Sequence, residues 1–226
     1  MLHALMELSG IKEQIAEALK QSLETHHEAD HHKHNSHEHD CHAHEHHHHI
    51  HGRSWLKVRQ LIEQSSFSDE AKAVALNIYQ NIAEAEANVH GETLETIHFH
   101  EVGRDEAIKN ALGIGMALEA IRPDEILVSS IYDGKGTVVC SHGEIPVPVP
   151  AVMALRAKCS YTFETADVNM EMVTPSGLAS LMGIGAKPGS FPMKTQAAVI
   201  AGTEARGSRD TGRDGLKVYL LDRRDK

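Results

Sequence analysis

Side chains able to bind metal ions are concentrated in one part of the chain. Fourteen of the nineteen histidines lie between His26 and His51, together with acidic residues and Cys41. Imidazole is a preferred ligand of nickel, copper and zinc, and it is mostly neutral near pH 7. The composition therefore predicts a segment that binds several divalent ions loosely and exchanges them readily. The predicted ligands are His26, His27, His31, His32, His34, His37, His39, His42, His44, His46, His47, His48, His49 and His51.

This histidine-rich tract has two alternative interpretations, a purification tag and a solvated linker. The tract is internal, it is mixed with acidic residues and it is much longer than a tag, all of which favour metal binding. Composition does not identify the metal. Intrinsic affinity favours copper over nickel or zinc, so the metal bound in the cell depends on supply.

A second set of candidate ligands lies in the sequence HFHEVG, which begins at His98. Alternation along a strand would place His98 and His100 on one face and Phe99 toward the core. Cys140 and His142 have the same spacing at the end of another predicted strand. If the two strands were neighbours, the four side chains could converge on one ion. The alternative is a polar strand face whose histidines are satisfied by hydrogen bonds.

The sequence Thr174-Pro175-Ser176-Gly177 has the features of a helix start. Threonine is a favoured N-cap, and proline is favoured at the first helical position. The free amides and the positive end of the helix dipole could receive a phosphate, with Thr174, Ser176 and Gly177 as the binding residues. An ordinary capped helix that binds no ligand is the alternative.

The apolar pattern divides the chain into three segments. Apolar residues recur at steps of three and four over residues 2–23, which predicts an amphipathic helix interrupted near Gly10. The pattern then vanishes among histidine and acidic residues, which predicts disorder. We therefore expect an N-terminal helix at 1–24, a disordered metal-binding insert at 25–52 and a folded domain at 53–226.

Several helices must position the candidate residues of the folded domain. Two of them, near 55–62 and 68–83, are expected to form a hairpin. A third is predicted over about 105–121. This helix contains Gly113 and Gly115 on an otherwise apolar face, which is typical of close helix packing.

Short apolar runs predict strands between these helices. They lie near residues 96–102, 125–132, 136–141, 194–201 and 216–221. Asp133 and Gly134 suggest the turn of a hairpin. Three prolines within 145–150 exclude a central strand there and predict an extended entry into the next helix. The alternation of helices and strands predicts an α/β or α+β fold, with helices packed on a mixed sheet beside the disordered histidine-rich insert.

Charge and cysteine content exclude several classes of protein. The formal net charge of -10 at pH 7 argues against nucleic acid and anionic lipid as partners, because both require a basic surface. Three widely spaced cysteines do not form the pattern of a disulfide framework. The sequence has neither a signal peptide pattern nor an apolar run of membrane-spanning length. We expect a soluble, cytoplasmic protein with no nucleic-acid or membrane partner.

Three motifs in a fixed order make the sequence resemble a known family. They are HFHEVG at 98–103, SHGEIPVPVPA at 141–151 and TPSG at 174–177, preceded by the histidine-rich insert. With these motifs the chain resembles the N-terminal domain of the LarC family of nickel insertion proteins. The resemblance runs over nearly the whole chain.

This resemblance implies insertion of nickel into a pyridinium dithiocarboxylate mononucleotide, which forms the nickel-pincer cofactor of lactate racemase. The implied reaction depends on CTP with magnesium or manganese, bound by the family's second domain. We expect that domain on a separate partner chain, and whether the present chain is an enzyme by itself stays open. His100 or Glu101 is our hypothesis for the base that removes a carbon-bound proton.

Two alternatives of another class remain. The first is a nickel store or metallochaperone that has the fold without the chemistry. The second is general buffering of nickel, zinc or copper by the tract alone. The oligomeric state also stays open, with a homo-oligomer as one outcome.

Overall fold

A computed structural model describes residues 1–27, 53–140, 143–190, 197–205 and 215–223. Seven helices lie within these residues, and they follow the predicted periodicity closely. They are α1 (Leu2–Ser9), α2 (Lys12–His27), α3 (Trp55–Gln64), α4 (Asp69–His90), α5 (Asp105–Ile121), α6 (Pro150–Arg156) and α7 (Pro175–Gly183). Gly10 has a φ of 72° and separates α1 from α2, where the sequence predicts the interruption.

Side-chain caps determine where three of these helices begin. The hydroxyl oxygens of Ser54, Ser68 and Thr174 accept hydrogen bonds from backbone amides in the first turns of α3, α4 and α7. Each cap satisfies an amide that has no partner inside its helix. The predicted helix starts at Ser68 and Thr174 are confirmed.

The strands are short and pair two by two. They are β1 (Arg53–Ser54), β2 (His98–Phe99), β3 (Leu127–Val128), β4 (Ile131–Asp133), β5 (Thr137–Cys140), β6 (Gly143–Pro146), β7 (Phe163–Thr165), β8 (Lys187–Pro188), β9 (Ala197–Ala205) and β10 (Leu216–Arg223). The pairs β1–β2, β5–β6 and β9–β10 are antiparallel, whereas β3–β8 and β4–β7 are parallel.

The predicted mixed class of the fold is confirmed. Within the described residues the strands form five two-stranded sheets, and the core lies between helices. α4 is central and packs against α5, α6 and α7, while α1 and α2 cover α5. Most of the strands have two to four residues, and α1 packs against the longer strands β9 and β10.

The predicted hairpin at Asp133 and Gly134 is wrong. β4 pairs with β7, and β5 pairs with β6, so these two consecutive strands do not pair with each other. The reason is that the Asp133 side chain points inward and bonds to a later segment.

None of the described helices combines the length and apolarity needed to cross a membrane.

Candidate functional site

Three aromatic rings form the base of the HFHEVG segment. Trp55 opens α3, Tyr79 lies in α4 and Phe99 lies in β2, and all three are buried. The Trp55 ring is stacked on Tyr79 at 6.4 Å between centroids, and Phe99 lies 6.4 Å from Trp55 and 6.0 Å from Tyr79. Offset and edge contacts at these distances are favourable. The cluster joins two helices to the segment that carries the candidate histidines.

Polar contacts hold the end of this segment. The Tyr79 hydroxyl donates to the Val102 carbonyl at 2.7 Å. Burial raises the pKa of Tyr79, so the hydroxyl stays protonated and remains a donor. Arg53 donates to the Gly103 carbonyl at 3.2 Å and also forms an ion pair with Asp105. A side chain on Gly103 would lie 2.8 Å from the Phe99 carbonyl oxygen, so the turn leaves no space for one.

The candidate side chains of this segment face solvent. Phe99 is 1% exposed, as predicted, while His98, His100 and Glu101 are exposed. Only His98 and Phe99 are extended, because the chain turns from His100 onward and closes with a bond from the Arg104 amide to the Glu101 carbonyl at 3.3 Å. The result is a hydrogen-bonded turn that displays two imidazoles and a carboxylate.

The tautomer of His98 follows from its hydrogen bond. Nδ1 lies 2.7 Å from the Thr96 carbonyl oxygen, which can only accept. In the neutral ring Nδ1 therefore carries the hydrogen, and the Nε2 lone pair points away from the backbone. This is the arrangement that metal-binding histidines commonly adopt.

The predicted convergence of two histidine-containing strands is not found. β2 pairs with β1, and β5, which ends at Cys140, pairs with β6. His142 lies outside the described residues. Within the part of the chain that the structure describes, no group of three or more histidine, cysteine or acidic side chains could hold a metal ion.

The histidine-rich tract falls almost entirely outside the described residues. His26 and His27 belong to the last turn of α2. The remaining predicted ligands lie outside, namely His31, His32, His34, His37, His39, His42, His44, His46, His47, His48, His49 and His51. Their role as metal ligands stays a prediction.

Helix α7 begins with an ordinary N-cap. The Thr174 hydroxyl oxygen accepts from the Gly177 amide at 3.1 Å and lies 3.3 Å from the Ser176 hydroxyl. The Ser176 carbonyl accepts from the Ser180 hydroxyl at 2.7 Å. Thr174 is exposed, and Ser176 and Gly177 are half-buried. Binding of an anionic ligand by these three residues stays a prediction.

A buried ion pair positions this helix start. Asp133 is 1% exposed, and its Oδ2 accepts from Arg156 at 2.9 Å. Its Oδ1 accepts from the amides of Gly134 at 2.8 Å, Met172 at 3.3 Å and Val173 at 3.2 Å. The carboxylate therefore joins the end of β4 to the residues that immediately precede α7.

Two further contacts complete this junction. The Arg156 guanidinium lies 4.1 Å from the centre of the Phe163 ring, which favours the buried cation. Gly134 touches the same segment, since an added side chain would lie 1.9 Å from the Met170 carbonyl oxygen. The ion pair of Asp133 and Arg156 was not predicted from the sequence. The signal available in the sequence was an aspartate at the end of an apolar strand. That aspartate was interpreted as part of a turn.

Comparison with known proteins identifies the family. A family described as nickel insertion protein matches residues 1–224. The pyridinium-3,5-bisthiocarboxylic acid mononucleotide nickel insertion protein of Acetivibrio thermocellus is 36% identical over 175 residues, which is 77% of this chain and 42% of the relative. The protein of the same name from Akkermansia muciniphila is 39% identical over 63% of this chain and 34% of the relative.

A third relative shows similar identity and coverage. The putative nickel insertion protein of Methanosarcina mazei is 34% identical over 75% of this chain and 43% of the relative. No solved structure matches the chain significantly. The chain belongs to the nickel insertion protein family, which is the LarC family. It spans less than half the length of the curated relatives that it matches.

Proposed function

We propose that this chain takes part in inserting nickel into a pyridinium dithiocarboxylate mononucleotide. Membership of the nickel insertion protein family supports the reaction class, and the names of the relatives support the substrate. The observation that carries the proposal is the turn that displays His98, His100 and Glu101 on a buried aromatic base. A rigid base is needed because the reacting groups must be held in one geometry.

In this proposal the two parts of the chain have different tasks. The histidine-rich tract collects nickel, which is the substrate ion, and raises its concentration beside the folded domain. The exposed Nε2 of His98 is the first ligand in the folded part that receives the ion. Loose binding by the tract permits transfer, because flexible ligands exchange metal readily.

The chemical step exchanges a proton for the metal. The nickel-carbon bond forms as the ring carbon loses its hydrogen, and the two thiocarboxylate sulfurs supply the other bonds to nickel. The proton passes to His100 or Glu101, whose side chains face solvent beside His98. No oxidant or reductant is required, since the carbon keeps the electron pair of the broken bond.

The remaining components extend the same proposal. Thr174, Ser176 and Gly177 would receive an anionic part of the nucleotide at the start of α7. CTP with magnesium or manganese would act through a second domain on a separate chain. The product would be the nickel-pincer cofactor of lactate racemase, made in the cytoplasm.

Alanine variants of the two candidate bases test the proposal. The chain is combined with nickel, CTP, the pyridinium dithiocarboxylate mononucleotide and the remaining part of the Acetivibrio thermocellus relative, and the product is measured by mass spectrometry. His100→Ala and Glu101→Ala are tested separately. Loss of the base that acts should lower the rate by about 10²- to 10⁴-fold, the usual contribution of a positioned base.

His3→Ala is the matched control, because His3 is an exposed histidine of α1 whose side chain is 69% exposed. It should leave the rate unchanged, and all three variants should take up nickel like the unaltered chain. Insertion at the normal rate by both His100→Ala and Glu101→Ala would overturn the assignment of the base.

A nickel store or metallochaperone is the second candidate function. The histidine-rich tract supports it, because its fourteen imidazoles can bind nickel without any chemical step. It predicts that the unaltered chain binds nickel but makes no cofactor in the reconstituted reaction.

A further inference from the structure

Arg53 contacts both ends of the HFHEVG turn. In the β1–β2 pair its backbone lies opposite Phe99, where the extended part of the segment ends. Its guanidinium reaches the other end of the turn, where Nη1 donates to the Gly103 carbonyl at 3.2 Å. The two candidate bases, His100 and Glu101, lie between these two ends along the chain.

The turn closes tightly at Gly103. A side chain there would lie 2.8 Å from the Phe99 carbonyl oxygen, 3.0 Å from the Phe99 Cβ and 3.4 Å from the Arg53 Cβ. This close approach requires glycine, which is also the residue with the greatest backbone freedom. Hydrogen bonds to its peptide groups therefore provide a restraint that glycine itself lacks.

Two side chains bond to successive peptide groups at this position. Tyr79 donates to the Val102 carbonyl at 2.7 Å, and Arg53 donates to the Gly103 carbonyl. Because each peptide group is planar, holding the two carbonyls also holds the peptide planes on both sides of Gly103. Glu101 is only one residue away from the first of these planes, so its direction depends on them.

The Arg53 guanidinium is itself held in place. Asp105, the first residue of α5, forms an ion pair with it, and the two side chains are only 35% and 33% exposed. A partly buried pair is screened less by salt than an exposed one. The Asp105 carboxylate also lies at the positive end of the α5 dipole, where a negative charge is favourable. One cation therefore connects β1, the turn and α5.

We propose that Arg53 is a positioning residue for nickel insertion. It acts through the backbone of the turn, by setting the direction in which His100 and Glu101 are presented to the substrate. The proposal rests on the proposed function for the reaction. A displacement of about 1 Å can lower a rate by about 10²-fold, so a residue that holds this backbone should affect the chemical step.

Three variants, measured by NMR and by nickel insertion, test this role. Arg53→Ala removes the guanidinium, whereas Arg53→Lys keeps a positive charge for Asp105 on a more flexible side chain. Arg59→Ala is the matched control, because Arg59 forms its ion pair with Glu63 of the same helix at 2.7 Å.

Amide order parameters report on the turn independently of any reaction. For residues 100–102 they should fall from about 0.85, the usual value of an ordered backbone, to below about 0.6 in Arg53→Ala. Arg53→Lys should lie between these values, and Arg59→Ala should match the unaltered chain. The His98 tautomer checks the folding of each variant, since its hydrogen bond to the Thr96 carbonyl is left intact by all three substitutions.

Nickel insertion is measured in the reconstituted reaction used for the candidate bases. Arg53→Ala should lower the rate at saturating substrate by about 10- to 100-fold with little change in KM, because the lost restraint affects the reacting group rather than substrate binding. Guanidinium chloride at non-denaturing concentration, compared with sodium chloride, should restore part of the rate and of the order in this variant. The free ion can replace the missing group beside Asp105. It should not affect Arg59→Ala.

Unchanged order parameters at residues 100–102 in Arg53→Ala would overturn the positioning role. A normal insertion rate in a variant whose turn has lost its order would also overturn it. So would a slower rate that follows from unfolding at the assay temperature and is not restored by guanidinium. Absence of insertion by the unaltered chain, with order parameters that respond to Arg53→Ala, would instead reject the proposed function.

Discussion

The carboxylate of Asp133 accepts hydrogen bonds from three backbone amides and from Arg156 while almost fully buried. Amide donors and a guanidinium together compensate the loss of hydration of the charge. Removing one partner of such a pair leaves the other charge uncompensated. Asp133 is therefore critical for the junction between β4, α6 and the start of α7.

Asp133→Ala should lower the free energy of unfolding by about 3–5 kcal/mol, because Arg156 loses its partner and three amides lose their acceptor. Lys135→Ala is the matched control in the same segment. It removes an ion pair with Asp167 in which both side chains are largely exposed and screened by solvent, so it should leave the free energy of unfolding nearly unchanged. Urea unfolding measures both values. Similar values for the two variants would contradict this role of Asp133.

Helix α5 crosses α4 through a glycine. A side chain on Gly115 would lie 2.5 Å from the carbonyl oxygen and 2.7 Å from the Cα of Ala71, so the two backbones are nearly in contact. A side chain on Gly113 would instead meet the side-chain ends of Leu2 and Leu19. The two glycines of one helix therefore face neighbours that differ in how far they can move.

Gly115→Ala should destabilise the protein by at least about 2 kcal/mol, because α4 and α5 must separate to accept a methyl group. Gly113→Ala should change stability by less than about 1 kcal/mol, since leucine side chains can shift and alanine favours the helix by about the same amount. Thermal and urea unfolding of the two variants provide the measurement. An equal loss in both would show that the crossing is not limited by the backbone contact.

At the scale of the whole molecule, the sequence predicts that the histidine-rich tract contributes nothing to the buried core, because the tract has no apolar pattern. Helix α4 and the helices that pack against it form the core of the folded part. The HFHEVG turn is attached to this core through Tyr79. Metal capture and folding should therefore be separable by deletion.

A variant that lacks residues 26–51 should lose most of its bound nickel after expression in balanced metals, because fourteen imidazoles are removed. Its unfolding temperature in the presence of a chelator should stay close to that of the unaltered chain. Elemental analysis and thermal unfolding check the two parts. A second variant, with the histidines of the tract replaced by serine at constant length, separates loss of ligands from loss of length. Unchanged nickel content in both would contradict capture by the tract.

The sequence alone was sufficient to predict the features that depend on residues close together along the chain. The helix over Asp105–Ile121 and the cap at Thr174 are confirmed, because helical periodicity and capping involve residues three or four positions apart. The burial of Phe99 also followed from local alternation. The motifs around these residues led to the correct family.

Only the tertiary structure decided which distant segments meet. The partners of β3, β4 and β5 depend on residues far along the chain, so the hairpin predicted at Asp133 was wrong. The same long-range pairing turned Asp133 toward Arg156. Hydrogen bonding between strands has no local signature when each strand has only two to four residues, because many pairings satisfy the same short pattern. Composition could identify candidate metal ligands, whereas the anchored turn exists only once the chain has folded.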